Sequence, residues 1–348
     1  MKHDIRVAVV GAGYWGAHLL RVFQATEGFA LTHVCDMRPE ALHDAQVRYP
    51  HVVVESALSA VLRDPTIDAV VVATPPAAHV TIAEAALNAG KHVWVEKPLA
   101  LTYTEGQRLV ALAHAQRRAL FVDETFLYDP LVEQLRVWLA AGAIGKPQHV
   151  TLERTGMGRI RRDSNVWWNS APHDVSILHY VLNARVRAIA VFGYAFVQPG
   201  IADVVWASLQ MEERLMAHIH LHWLFPEKKA PLTIVGERGM LRYEGRFEQR
   251  RLTRYGYRLG EVAPEIRRAA NVIPIEQYQV EEEVYGDPVE PLTRASLAFR
   301  EMIHSGDPAP SSGEQSLRTL AVLEAGAQSL AQGGMWIEVS AIVDRGRG

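Results

Sequence analysis

The chain has 348 residues, more than one hydrophobic core normally serves, which predicts two domains. A formal net charge of -3 leaves no broad basic field, which argues against nucleic acid or an anionic membrane as a partner. The single cysteine, Cys35, excludes a disulfide within the chain, and no stretch approaches the roughly 20 apolar residues that span a bilayer.

The first 125 residues alternate strand and helix signals. Met1–Arg6 is short and charged and leads at once into a strand-like run, so no leader is expected and the expected compartment is the cytoplasm. The spacing predicts strands at Ile5–Val10, Ala30–Asp36, Val52–Val54, Asp68–Ala73, His92–Val95 and Leu120–Val122. Helices are predicted between them at Tyr14–Thr26, Pro39–Tyr49, Ala77–Ala89 and Tyr103–Arg117. Strands apolar on both faces and separated by helices imply a doubly wound parallel sheet.

The pattern changes near residue 145. Closely spaced strand signals appear at His149–Arg154, Val186–Val197, Asp203–Met211, Leu215–Leu224 and Leu232–Val235, which suggests an antiparallel sheet. Gly260–Glu290 is rich in charge and lacks periodicity, so loop or extended chain is expected there. Pro291–His304 and Ser312–Leu330 return to helical spacing, and the last helix is a candidate to pack back on the first domain. The fold class read from this is α/β. An N-terminal Rossmann domain (1–125) is followed by an α+β domain (126–348) with a large open, mostly antiparallel sheet for substrate binding and oligomerisation.

The chemistry concentrates in a few places. Gly11-Ala12-Gly13-Tyr14-Trp15-Gly16 is a G-x-G-x-x-G run between a strand and a helix. Gly11 permits the tight turn, Gly13 lets backbone approach a pyrophosphate, and Gly16 lets helix and strand pack closely. Asp36 ends the second strand, 20 residues after Gly16, where a carboxylate accepts hydrogen bonds from a ribose hydroxyl. It would repel a 2′-phosphate, so NAD is favoured; Arg38 nearby keeps NADP open. Tyr14 and Trp15 project from the phosphate turn. Glu96-Lys97-Pro98 places a carboxylate and an amine at the carboxyl end of the fifth strand, where open α/β sheets bind ligands.

Taken together, the glycine turn, Ala73-Thr74-Pro75-Pro76-x-x-His79 and Glu96-Lys97-Pro98 resemble the Gfo/Idh/MocA oxidoreductases, named for glucose-fructose oxidoreductase and inositol dehydrogenase. The resemblance implies an NAD(P)-dependent dehydrogenase or reductase acting on the secondary hydroxyl or ketone of a sugar, cyclitol or nucleotide-linked sugar. It implies that Lys97 sits beside the nicotinamide and handles the hydroxyl proton, with Glu96 orienting it across a cis Lys97–Pro98 bond. It places Thr74, Pro75 and His79 beside the nicotinamide ribose. It assigns a second catalytic role to His173, although Ser176 stands where the family's H-x-x-D pattern carries an acid. It also implies a homodimer or homotetramer through the C-terminal sheet.

Arg154, Arg159, Arg161 and Arg162 surround Gly156 and Gly158, ahead of Trp167-Trp168-Asn169. Arginines on such a loop suit a phosphate or carboxylate, and a tryptophan stacks on a sugar or base, so Arg159, Arg161, Arg162, Trp168 and Asn169 are substrate-site candidates. The chain further resembles a branch of the family associated with sugar or nucleotide-sugar metabolism, and by that resemblance Asn169 stands where an Asp is common. A third option is reduction or hydrolysis of a non-sugar, such as a biliverdin-like or aromatic diol substrate. His218, His220 and His222 share one strand face, but without an acidic or cysteine partner close in sequence no metal is expected. The competing reading is a non-catalytic, NAD-dependent sensor of the same fold.

Overall fold

The computed structural model describes residues 3–158, 160–245, 250–259, 275–285 and 289–346. The chain divides into two compact units.

The first unit comprises Met1–Tyr128, Val289–Glu324 and Ile342–Gly348. Its strands and helices alternate as β1 (Ile5–Val10), α1 (Tyr14–Ala25), β2 (Phe29–Cys35), α2 (Pro39–Arg48), β3 (Val53–Glu55), α3 (Leu58–Arg63), β4 (Ala69–Val72), α4 (His79–Asn88), β5 (His92–Glu96), α5 (Tyr103–Gln116) and β6 (Leu120–Asp123). The strands form one parallel sheet in the order β3-β2-β1-β4-β5-β6. Chain order reverses between β1 and β4, which is the point where such sheets bind ligands. All four residues of β4 and all four of β6 are buried, as expected for strands covered on both faces.

Aromatic side chains fill the core of this unit. Trp94 and Phe121 stack at 4.4 Å, and Phe23 and Phe299 meet Trp94 edge-on at 5.4 Å and 5.6 Å. Burying side chains of this size contributes about 1.5–3 kcal/mol each. Phe299 comes from a later helix, α8 (Pro291–Ser305), whose Leu292, Ala295 and Phe299 share the buried face. That apolar stripe is why the chain rejoins this unit after residue 289.

The second unit comprises Asp129–Pro288 and Ala325–Ala341. It contains α6 (Pro130–Ala140), β7 (Pro147–Thr155), α7 (Val166–Leu182), β8 (Val186–Tyr194), β9 (Val204–Met211), β10 (Met216–His222), β11 (Pro231–Gly236), β12 (Gly239–Glu244), β13 (Arg251–Leu259) and β14 (Ile275–Tyr285). A further helix, α9 (Gly313–Ala331), gives its first part to the first unit and its last turns to the second, before β15 (Ile337–Glu338) and α10 (Ser340–Arg345). The sheet of the second unit has nine strands in the order β14-β13-β12-β11-β7-β10-β9-β8-β15.

The sheet is mostly antiparallel but mixed, because β7 and β10 run parallel with Met216 opposite His149. The span 260–290, expected to be loop or extended, contains β14. Its charged sequence is stabilised across the pair: Glu282 opposes Arg254, and Arg251 reaches Glu283 at 3.3 Å. At a sheet edge, cross-strand charge pairs replace apolar alternation.

Candidate active site

The phosphate turn follows directly from backbone geometry. Gly11 adopts φ +99°, and a Cβ there would lie 2.6 Å from the Ala73 carbonyl oxygen. A Cβ on Gly16 would lie 2.0 Å from the Gly11 carbonyl oxygen. Gly13, by contrast, faces nothing nearer than Arg38, at 3.8 Å from its Cβ position. The turn is therefore closed on the protein side and open on the outer side. Gly13 is the N-cap of α1 and no side chain caps that helix, so its first amides have no intrahelical partner and suit a diphosphate. Thr74 adds a buried hydroxyl without a partner among the described residues.

Asp36 stands just beyond β2. Its carboxylate accepts a hydrogen bond from the Ala12 amide at 2.8 Å and is gripped by Arg38 through Nε at 3.0 Å and Nη2 at 2.8 Å. Burial alone would raise its pKa; the hydrogen bonds from Arg38 and Ala12 outweigh burial and hold the carboxyl below its ordinary range. The acid is thus charged and tied to the glycine turn. Tyr14 and Trp15, one turn on, are exposed at 60% and 38%.

His79 is fully buried. Its Nδ1 lies 2.8 Å from the Pro98 carbonyl oxygen and its Nε2 lies 2.9 Å from that of Thr74. The ring therefore lies between the turn after β4 and the turn after β5, and in its neutral form it donates to one of the two carbonyls. Burial lowers its pKa more than the two carbonyls raise it, which favours the neutral ring. Between these turns, Lys97 is half-buried and the Lys97–Pro98 bond is cis.

The sequence reading missed an acidic layer behind Lys97. Glu96 ends β5 and is the register partner of Asp123 at the end of β6. Both are buried, and Trp15 Nε1 donates to Asp123 at 3.2 Å. Thr125 also donates to Asp123. Burial, followed by the charge and hydrogen bond of Asp123, holds the Glu96 carboxyl well above its ordinary range. Glu124 beside them is pushed to about 8 by burial, with the neighbouring Thr319 and Ser316 hydroxyls opposing the shift. The signal was present: Asp123-Glu124 sits at the carboxyl end of a sheet strand, the same position that singled out Glu96 and Lys97.

In the second unit, Asn165 caps α7 by accepting the Trp168 amide at 3.1 Å. The helix carries Trp168, Asn169 and His173, all half-buried. Ser176 donates to the His173 carbonyl oxygen at 3.0 Å, inside its own helix. The acid in this region is Asp174, which Arg154 of β7 holds at 2.7 Å. Arg154, at the start of the arginine-rich segment, thereby joins β7 to α7. Arg161 forms a two-pronged pair with Asp163, at 2.8 and 2.7 Å, and Arg162 is exposed. Arg159 lies outside the described residues.

Among the described residues, no cluster of three or more His, Cys, Asp or Glu side chains is arranged to hold a metal ion. Among the described residues, no helix is long and apolar enough to cross a membrane.

Sheet order, glycine turn and strand-end acid together define a dinucleotide-binding α/β protein. Residues 5–124 match the family model described as an oxidoreductase family with an NAD-binding Rossmann fold, and residues 132–242 match the GFO/IDH/MocA C-terminal domain. The chain belongs to the Gfo/Idh/MocA family, and its first unit is an NAD-binding Rossmann domain. It is 28% identical over 226 residues to an inositol 2-dehydrogenase of Acidothermus cellulolyticus, covering 63% of this chain and 66% of that one. It is 27% identical over 192 residues to 1-carboxy-3-chloro-3,4-dihydroxycyclohexa-1,5-diene dehydrogenase of Comamonas testosteroni, covering 52% and 48%. The chain thus spans about half to two thirds of the length of these relatives. An inositol dehydrogenase homolog of Azotobacter vinelandii, solved with NADH and myo-inositol, shares the fold at TM-score 0.78 and 20% identity over 97% of this chain and 98% of that one.

Proposed function

We propose that the protein is an NAD-dependent oxidoreductase acting between a secondary hydroxyl and the matching ketone of a sugar, cyclitol or nucleotide-linked sugar. The observation that carries this reading is Lys97, placed directly after buried Glu96 at the carboxyl end of β5, on the same sheet edge as the glycine turn. The likeness to an inositol 2-dehydrogenase supports the cyclitol end of the substrate range. The Comamonas relative's name describes a dihydroxylated ring, which fits a ring-borne hydroxyl as the reacting group.

Bound NAD supplies the hydride acceptor, or NADH the donor, for this chemistry. The amides at the start of α1 hold the diphosphate, and Asp36 accepts from the adenosine ribose. Lys97 takes the hydroxyl proton during oxidation and returns it during reduction. Glu96, together with Asp123, fixes the strand end that carries Lys97. His79 holds the adjacent turns in register, with Thr74 and Pro75 against the nicotinamide ribose. The family resemblance assigns His173 a part in proton handling, and Arg161, Arg162, Trp168 and Asn169 of the second unit are the candidates for substrate contact. Because Asp36 is charged and would face a 2′-phosphate, NAD is the preferred cofactor.

The test is NAD reduction across a panel of sugars and cyclitols, comparing wild type with Lys97→Ala. Turnover by wild type alone supports the reading; equal turnover by both rejects the role of Lys97. A regulatory reading has one observation in its favour: Ser176 spends its hydroxyl on backbone rather than offering a carboxylate to His173. Tight NAD binding with no reduction by any member of the panel would favour that alternative.

We also propose a cytoplasmic homodimer or homotetramer built on the open sheet. Phe192 and Trp206 face each other across β8 and β9 and are exposed at 51% and 47%, with His220 stacked on Trp206 at 4.8 Å. Aromatic surface of this kind on a sheet face suits a subunit contact. Light scattering on wild type and Trp206→Glu tests it; a monomeric wild type rejects it.

A further inference from the structure

The amino ends of β5 and β6 lie at the edge of the parallel sheet away from the glycine turn. A cavity of about 410 Å³ opens there. One part of its wall is polar, from the neutral ring of His92 and the guanidinium groups of Arg117 and Arg118; another is apolar, from Val110, Leu120 and Ile303.

The His92 ring and the Arg118 guanidinium on this wall present N–H groups towards each other. His92 Nδ1 accepts the Ala119 amide at 3.0 Å, so a neutral ring carries its proton on Nε2. Arg118 Nη1 lies 3.3 Å from that same Nε2. Two N–H donors therefore face each other, an arrangement that an anion placed between them would relieve. Among the described residues, neither Arg117 nor Arg118 has a carboxylate within ion-pair distance. The acid on the wall, Glu314, is taken by His114 at 2.6 Å. Ser312 lines the cavity at 2% exposure, and its Oγ has no partner among the described residues. It directly precedes α9, whose first amides also lack intrahelical acceptors.

We propose that this cavity is a second ligand site, for a phosphate monoester or chemically equivalent organic anion, separate from the dinucleotide site. The anion accepts from His92 Nε2, Arg118, Arg117 and the start of α9, with Ser312 as an additional donor. The organic part of the ligand lies on the apolar wall. The volume far exceeds that of one bound water and leaves room for a ring-sized body. His92 supplies an independent readout. Burial, then the charge of Arg118, pushes its ring down to about 4, with Asp68 opposing and His304 adding to the depression. A bound dianion would reverse that depression.

The experiment is calorimetric titration of the NAD-saturated protein with phenyl phosphate and, separately, inorganic phosphate; saturation keeps both probes out of the glycine turn. Phenyl phosphate is expected to bind more tightly than inorganic phosphate. Binding is expected to weaken about 10-fold or more in Arg118→Gln and about 3-fold in Ser312→Ala. The His92 ring, followed by NMR, is expected to titrate at higher pH in the complex. Arg117→Gln, at an exposed residue, replaces Arg118→Gln if that variant unfolds at lower temperature than wild type. Absence of millimolar binding to wild type, equal binding by the variants, or an unmoved His92 titration would each overturn the proposal.

Discussion

Glu96 and Asp123 end neighbouring parallel strands in register, so two buried carboxyl groups meet at the strand ends next to Lys97 in the chain, whose charge acts on Glu96. Two such groups in a dry environment cannot both stay charged, and Glu96 is the one held in the protonated range. Asp123→Asn removes the repulsion and lets Glu96 ionise more readily. The pH profile of turnover should then shift towards acid, while Kd for NADH changes less than about 3-fold. A profile unchanged from wild type would mean that the pair is only structural.

Glu124 gives a stability prediction whose sign follows from burial. Its carboxyl is raised to about 8 from an ordinary 4.5, so the native state favours the protonated form. Its contribution is fully present below the unfolded value and is lost as pH climbs towards 8. Wild type should therefore lose thermal stability between pH 5 and pH 8, by on the order of 3 kcal/mol from this group. Glu124→Gln should lose distinctly less over the same interval. Parallel melting curves for the two proteins would contradict the assignment.

The fork of Arg38 on Asp36 predicts cofactor choice. Asp36→Ser removes the ribose acceptor and frees a guanidinium that can meet a 2′-phosphate. NADH affinity should fall about 10-fold, and the NADPH-to-NADH affinity ratio should rise by more than that. Fluorescence titration with both reduced cofactors measures it; an unchanged ratio counts against Asp36 as the discriminating residue.

Glycine positions separate backbone need from crowding. Gly16→Ala drives a Cβ to 2.0 Å from the Gly11 carbonyl oxygen and should cost about 3 kcal/mol, together with NAD binding. Gly142→Ala has a left-handed φ of +69° but nothing within 4 Å, and should cost about 1 kcal/mol with NAD binding intact. Chemical denaturation of both variants would settle the comparison, and similar losses would show that the turn is not closed.

Much of the first unit was legible because the signals were local. Ile5–Val10 and Asp68–Ala73 are nearly continuous apolar runs, and the glycine turn fixes its own geometry. The helix Leu58–Arg63 went unread because six residues hold too little periodicity to register. In the second unit, β14 hides its pairing in charges that only Arg251 and Arg254 on the neighbouring strand make sense of. The Arg154–Asp174 pair joins residues 20 positions apart, and the sequence did not reveal that one arginine of the cluster supports α7. Likewise, Asp123 acquires its meaning only when β6 is laid beside β5.

The most direct measurement is NADH formation by Lys97→Ala with a substrate that wild type oxidises, alongside NADH binding to the same variant. The proposed chemistry predicts a fall in kcat/KM of about 10²–10⁴-fold with Kd for NADH within about 3-fold of wild type. Full activity in Lys97→Ala, with the cofactor still bound, would contradict it.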